Sequence, residues 1–320
     1  MELINTKHYG IAGRPEIVLF RKKFMRKENV RTGSHNHLFG TAYNQKIGLC
    51  TDSNFSDRNN NIILTGNVKE EEYLLPNLFS AHSSAVVLDF TFHILFNDRY
   101  IKVLKSKGNI LAVRYPEEIT ESIIRQLAKK QTYLFTDSVE IIGLLIQRLY
   151  RYAEHQTILC PVQFYLRETD TCCLYQIFQK FDYPSENFSS VLAADRKYRT
   201  GFTIFSESMK SLKQSCPDGE YKNLLDSCDT KLFFSADTEE DKKMIDKLAG
   251  SISTDSKENP NKIKRIFRTA KASGINITAA KMKILSPEVQ KPIFESGKFL
   301  VFVRDTVPMI CSKLNIRKIK

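Results

Sequence analysis

The residues that invite chemistry begin in NNNIILTGNVKEEEYLLPN, positions 59–77. Ile62, Ile63 and Leu64 form an apolar run that hands over at Thr65–Gly66 to a loop. That is how a phosphate-binding turn starts. Backbone N–H groups of a glycine-rich loop wrap the phosphates, a Lys reaches the β- and γ-phosphates, and a Ser or Thr hydroxyl holds Mg2+. After Gly66 this segment supplies Asn67, Val68 and Lys69, then Glu70, Glu71 and Glu72. Lys69 can stand in for the phosphate lysine, but three adjacent carboxylates repel a triphosphate, and the Mg2+ hydroxyl is missing. The other positions to watch are strand ends. Asp89 closes SAVVLDF, Glu168 closes CPVQFYLRE, and Ser206–Glu207–Ser208 follows GFTIF. Each also has a plain structural reading. Asp89 can hydrogen-bond its own loop, and Lys69 can be a solvated lysine. Arg167–Glu168 can be an ion pair, and the Ser206–Ser208 turn can cap the helix after it.

A formal charge of +12 favours polyanionic partners such as DNA, RNA or an acidic protein face, and says nothing about fold. The basic residues cluster twice. Arg21, Lys22, Lys23, Arg26 and Lys27 are nucleic-acid candidates in the first group, and Lys264, Arg265 and Arg268 in the second. The plain reading of either is a solvated basic face, and no finger, GxxG loop or aromatic sheet motif supports base-specific reading. Seven cysteines, an odd number, are scattered, and the six histidines are dispersed, so reduced thiols and no metal site are expected. No apolar run approaches the roughly 18 residues of a membrane span, and MELINTKHYG is not a signal peptide. A cytoplasmic location is expected, with recruitment to the inner face of a membrane only through partners.

The elements that must position these residues alternate. Strands are expected at 62–64, 84–90, 109–114, 160–168, 201–208, 230–236 and 299–303, and a further strand or hairpin at 97–105. Helices are expected at 70–79, in PEEITESIIRQLAKK and SVEIIGLLIQRLYRY, after 208, and at 238–250. The first 60 residues read as short elements with loops, and 251–280 as polar and irregular. Strand and helix in this order argue for a mostly parallel sheet with helices on both faces, with ligands at the strand ends.

In this order the segments resemble the conjugative coupling proteins, the VirD4/TraG/TraD class of hexameric P-loop ATPases of type IV secretion. HYGIAG, 8–13, resembles that family's HGxAxW-type opening, and NNNIILTG the strand before its Walker A loop. YLLPNLFSAHSSAVVLD, 73–89, resembles xxxPNLLxxxGSxVVTDPKGE through Pro76, Asn77, Leu78 and Asp89, the most specific match. CPVQFYLRE is similar to PVxFxLDEF, the Walker B strand, and GFTIFSESMKSLK to GISIxxIxQSLxQLK. Residues 221–250 and 283–309 resemble the family's NCDTxLFLG and closing IVFIRG segments.

The resemblance implies a three-layer RecA-like P-loop core of α/β class with a reduced helical insertion. The expected units are 1–58, a basic and polar segment packing on the core; 59–115, its first part; 116–158, the helical insertion; and 159–320, the remainder. It also implies roles. Gly66, Lys69, Asp89 and Glu207 would lie at a vestigial nucleotide site, with Glu207 where the family has a nucleotide-sensing Gln. Glu168 would be the catalytic base, beside Arg167 where the family has a metal-supporting Asp. These departures point to a non-hydrolysing relative with no cofactor. It would bind secretion-channel or coupling ATPase subunits, relaxase or other cargo protein, or DNA. The alternatives are a ring-forming ATPase using ATP and Mg2+ at a remodelled site, and a decayed product of a mobile element.

Overall fold

The computed structural model describes residues 11–27, 36–166, 188–216, 219–253 and 281–314. Its strands are β1 (Asn36–Ala42), β2 (Gln45–Cys50), β3 (Ile62–Thr65), β4 (Ser84–Leu88), β5 (Asn109–Ala112), β6 (Thr132–Thr136) and β7 (Val162–Leu166). They continue with β8 (Thr200–Ser206), β9 (Thr230–Phe233), β10 (Ser251–Ser253), β11 (Lys281–Lys283), β12 (Lys298–Val303) and β13 (Met309–Ser312). The helices begin with α1 (Arg14–Phe24), α2 (Ser53–Ser56), α3 (Leu74–Ser80), α4 (Asp98–Lys105), α5 (Glu121–Lys129) and α6 (Val139–His155). They end with α7 (Phe188–Ala193), α8 (Asp195–Tyr198), α9 (Met209–Gln214), α10 (Glu220–Asp226), α11 (Glu239–Ala249) and α12 (Pro287–Glu295).

Among the described residues, eleven strands join in one sheet in the order β2-β1-β13-β12-β9-β3-β8-β7-β4-β6-β5. From β9 to β5 every neighbouring pair is parallel, and from β9 to β2 every pair is antiparallel. The parallel strands inside the sheet are short runs buried on both faces, while β5 at the edge is partly exposed. Side chains alternate between two cores. Ile63, Val86, Leu88, Phe164 and Ile204 face one core, which α5 and α6 complete with Leu127, Ile141, Leu145 and Leu149. Ile62, Leu64, Val87, Tyr165 and Leu232 face the other, with Ile17 and Phe20 of α1, Leu74 and Leu78 of α3, and Leu104 of α4. The result is a three-layer α/β fold with a large, mostly parallel sheet.

Caps place several helix starts. Ser138 accepts from Ile141 N–H at the head of α6, and Thr238 accepts from Asp241 N–H at the head of α11. The segment 97–105, expected as a strand or hairpin, is instead α4. Its Asn97 side chain accepts from Arg99 and Tyr100 N–H, which starts a helix where alternation suggested extension. Residues 116–158, expected as a helical insertion, hold α5 and α6 with β6 between them. This corrects the expectation: Thr132–Thr136 is buried throughout and pairs with β4 and β5, so the segment is part of the sheet. The expected helix over 70–79 divides into a 3-10 turn, Glu70–Glu72, and α3. The N-terminal region contains α1 and the β1–β2 hairpin, which extends the sheet.

Candidate nucleotide site

Among the parallel strands, β3 lies between β8 and β9, and the chain leaves β3 toward β4 but later crosses from β8 over β3 to β9. Connections that part in opposite directions open a crevice at the strand carboxyl ends, where open α/β sheets take ligands. Gly66 and the Ser206–Ser208 turn lie here together. Gly66 N–H donates to the carbonyls of Ser206 (3.1 Å) and Glu207 (3.2 Å), so it is turned into the fold. Its φ of +103° belongs to glycine, and a Cβ would meet Ser235 N and Oγ at 2.8 Å. Phe234 N–H donates to Thr65 O at 2.9 Å, tying the β9 end to the same turn.

The loop beyond Gly66 is closed by its own side chains. The Glu70 carboxylate meets His93 Nδ1 at 3.1 Å. The Tyr100 hydroxyl of α4 donates to Glu71 Oε1 at 3.2 Å. Lys313, just past β13, holds both Glu72 oxygens at 2.9 Å. The triplet that would repel phosphate is therefore shared among three separate partners. The exposed Lys69 side chain has no hydrogen-bond or ion-pair partner among the described residues, while its N–H donates to Glu72 Oε2 at 3.3 Å. Glu72 and Tyr73 N–H close the 3-10 turn on Lys69 and Glu70 carbonyls.

Tyr73 anchors this loop from below. Its ring is fully buried, edge-on to Phe205 at 5.9 Å and Phe234 at 6.4 Å, at the ends of β8 and β9. Its hydroxyl lies 3.0 Å from His37 Nε2. Burial alone drives the His37 pKa down to about 3, so the ring is neutral. The α3 helix that follows is buried along its whole length, and Asn77 within it clamps β1. Asn77 Oδ1 accepts from Leu38 N–H and Nδ2 donates to Leu38 O, both at 2.8 Å.

Asp89 is elsewhere. Three strand spacings, about 14 Å, separate β4 from β3. Asp89 Oδ1 accepts from Thr91 N–H (3.1 Å) and Thr91 Oγ1 (2.8 Å), the loop bond expected of a strand-end Asp. Glu207 is exposed beside Gly66, and Ser208 caps α9 through Ser211 N–H at 3.0 Å. The structure thus joins Gly66, Lys69 and Glu207 along one loop system and leaves Asp89 apart. Glu168 and Arg167 lie outside the described residues, as do Lys264, Arg265 and Arg268.

In the first basic cluster, Arg21 donates to Gln45 Oε1 at 3.0 Å and Arg26 pairs with Asp52 at 3.2 Å, while Lys22, Lys23 and Lys27 are exposed. Sequence reasoning missed Asp241, a buried carboxylate that accepts from Met209 N–H at 2.7 Å and from Thr238 N–H and Oγ1 at 2.9 and 2.6 Å. It ties the heads of α9 and α11 together. The spacing Thr238-x-x-Asp241 is a capping-box pattern and was the available signal. Among the described residues, no group of three or more His, Cys, Asp or Glu is placed to hold a metal ion, and no helix is long and apolar enough to cross a membrane.

The architecture defines a class before any relative does: an α/β protein with a switch-point crevice at the ends of a large, mostly parallel sheet. No protein-family model matches the sequence, and no curated protein matches it. Distant structural similarity reaches viral packaging NTPases and conjugative coupling proteins. The genome packaging NTPase B204 from Sulfolobus turreted icosahedral virus 2, in complex with AMPPCP, is 12% identical with a TM-score of 0.37, over 80% of this chain and 98% of that one. The pCW3 conjugation coupling protein TcpA, a monomer form with ATPgS, is 11% identical with a TM-score of 0.42, over 98% and 72%. The bacterial conjugative coupling protein TrwB is 12% identical with a TM-score of 0.37, over 58% of this chain and 41% of that one.

Proposed function

We propose that this chain acts by binding, as a scaffold or regulator in a type IV secretion or conjugative DNA-transfer system, rather than by hydrolysing ATP. Its partners would be coupling ATPase or channel subunits, relaxase or other cargo, or DNA itself. Recruitment to a membrane face would come through them. One observation carries the reading: the loop after Gly66 is closed on itself. The Gly66 N–H faces carbonyls, the N–H groups of Lys69, Glu72 and Tyr73 are engaged within the turn, and each glutamate has its own partner. A phosphate grip needs N–H groups that converge outward and a hydroxyl for Mg2+.

The test is equilibrium binding of a fluorescent ATP analogue with Mg2+ to the folded chain, beside Lys69→Ala and Glu168→Gln. The expected result is no binding at about 1 mM nucleotide, a free energy weaker than about −4 kcal/mol. Micromolar binding that Lys69→Ala abolishes would overturn the reading, favour the ring-forming ATPase, and make hydrolysis the next assay.

A further inference from the structure

A cavity of about 420 Å3 opens at the other edge of the sheet, at the amino ends of the parallel strands. His82 precedes β4, Gln131 precedes β6, Pro161 precedes β7 and Arg199 precedes β8, and all four line it. Arg26, Asp52 and Lys129 complete its charged wall. About one strand length, roughly 17 Å, separates this edge from the Gly66 loop.

Three permanent cations, Arg26, Lys129 and Arg199, therefore face one carboxylate, Asp52, which already pairs with Arg26 at 3.2 Å. The thiols of Cys50 and Cys160 also line the cavity, and burial raises both so that they stay protonated and add no negative charge. Neither Lys129 nor Arg199 has a carboxylate partner among the described residues. The Arg199 guanidinium is held in place by its Nη1, which donates to the carbonyls of Ile158 at 2.7 Å and Leu159 at 3.3 Å. Its backbone sits at φ +51°, a conformation that costs energy for a non-glycine residue.

Lys129 ends α5, where a lysine ordinarily serves the helix carbonyls. Here those carbonyls have other donors. Ser84 Oγ lies 2.8 Å from Leu127 O and 2.9 Å from Lys130 O, with one proton to give to either, and Ala128 O accepts from Leu159 and Cys160 N–H at 2.8 and 2.9 Å. Lys129, an exposed residue, lines the cavity with no carboxylate partner among the described residues. At the rim, Arg26 lies over the part-exposed Phe55 ring at 4.9 Å, a flat surface beside the charge.

We infer that this cavity is a phosphate site that holds one phosphate group of a single-stranded nucleic acid, with Arg26, Lys129 and Arg199 as its ligands. Its volume is at the lower end of small-ligand sites, which suits one nucleotide and not a duplex. An aromatic ring beside a cation is how strands are held without base-specific contacts. The site does not depend on the state of the Gly66 loop, so strand binding and nucleotide binding succeed or fail separately.

The experiment is fluorescence anisotropy of a labelled oligo-dT with the full chain, across a salt series. Two variants of equal charge change are compared: Arg26→Gln/Lys129→Gln in the cavity, and Lys22→Gln/Lys23→Gln on α1. Neither pair removes a buried hydrogen bond, so thermal melting is expected to be unchanged. The cavity pair is expected to weaken the strand at least about tenfold and to lower the log–log salt slope by about 0.7 for each phosphate no longer neutralised. The α1 pair should change affinity less than about threefold. Inorganic phosphate and AMP serve as competitors, and displacement of the bound strand by either at millimolar concentration supports a one-phosphate site. Equal weakening by the two pairs would overturn the proposal, as would no strand binding by folded wild type. AMP binding without strand binding would overturn nucleic acid as the source of the phosphate.

Discussion

Asn77 is the residue whose removal should tell most about how the sheet is held. Its amide joins α3 to β1 by accepting from Leu38 N–H and donating to Leu38 O, with a third bond to Tyr73 O at 3.0 Å. The site is sealed: Asn77 and Leu38 are both 0% exposed. The β1–β13 pairing is registered further along, at Thr41 and Ser312, and the β1–β2 register shifts between Leu38 and Gly40. Asn77 therefore does for Leu38 what a neighbouring strand would do. In Asn77→Ala the Tyr73 carbonyl keeps its helical donor, Asn77 N–H, but both Leu38 groups lose their partner. Each buried, orphaned group costs about 1–3 kcal/mol, so the expected loss is about 2–6 kcal/mol, centred near 4. That is a large part of the 5–15 kcal/mol typical of a domain. Urea denaturation followed by circular dichroism should show a lower midpoint with an unchanged slope. Asn77→Asp keeps the acceptor for Leu38 N–H but aims a carboxylate at two carbonyl oxygens, and should be at least as damaging near pH 7. A loss below about 1 kcal/mol in both variants would refute the clamp.

Two further outcomes follow from the same region. Gly66→Ala places a Cβ 2.8 Å from Ser235 N and Oγ at φ +103°, so a loss of about 2–4 kcal/mol is expected in the same assay; an unchanged midpoint would show that the Ser235 loop moves freely. His37 has a folded pKa of about 3 against 6.5 for the free side chain, so the unfolded chain takes up a proton that the folded chain refuses. Its contribution is intact above about pH 6.5 and is lost as pH falls toward 3, with a slope approaching 1.4 kcal/mol per pH unit. His37→Gln, which can still accept from Tyr73, should flatten that dependence. Parallel curves for wild type and variant between about pH 7 and 5 would remove His37 as the cause.

Much of the parallel half of the sheet was legible because burial on both faces writes a strand as a compact apolar run, although β6, inside the segment expected as a helical insertion, was missed. Ser84–Leu88, Val162–Leu166, Thr200–Ser206 and Thr230–Phe233 all read this way, and α6 was equally plain from its helical spacing. The antiparallel half was less legible. In the β1–β2 hairpin the turn residues are Tyr43 and Asn44, at φ +50° and +60°, without the glycine that usually announces such a turn. Its buried residues also include Asn36 and His37, whose polarity concealed a core strand. At the candidate site, the glutamate triplet was visible as a charge problem. Its resolution was not, because His93, Tyr100 and Lys313 come from distant parts of the sequence. The match at Pro76–Asn77 marked a position that matters, and its observed role is structural.

The pairing of β1 with β13 sets the order in which the sheet can be completed. As the chain is synthesised, the first hairpin emerges long before the strands that will flank it, since β12 and β13 follow every parallel strand. Until then β9 is an open edge, its Thr230–Phe233 backbone available to any passing strand. The Asn77 clamp gives the waiting hairpin an early mooring, made as soon as α3 forms. Closing the seam between β1 and β13 must overcome the entropy of a very long loop, which makes it a slow, late step. A chain cut before Lys298 would keep its seven parallel strands yet present β9 and β1 as two raw edges, and should associate with its own copies for that reason.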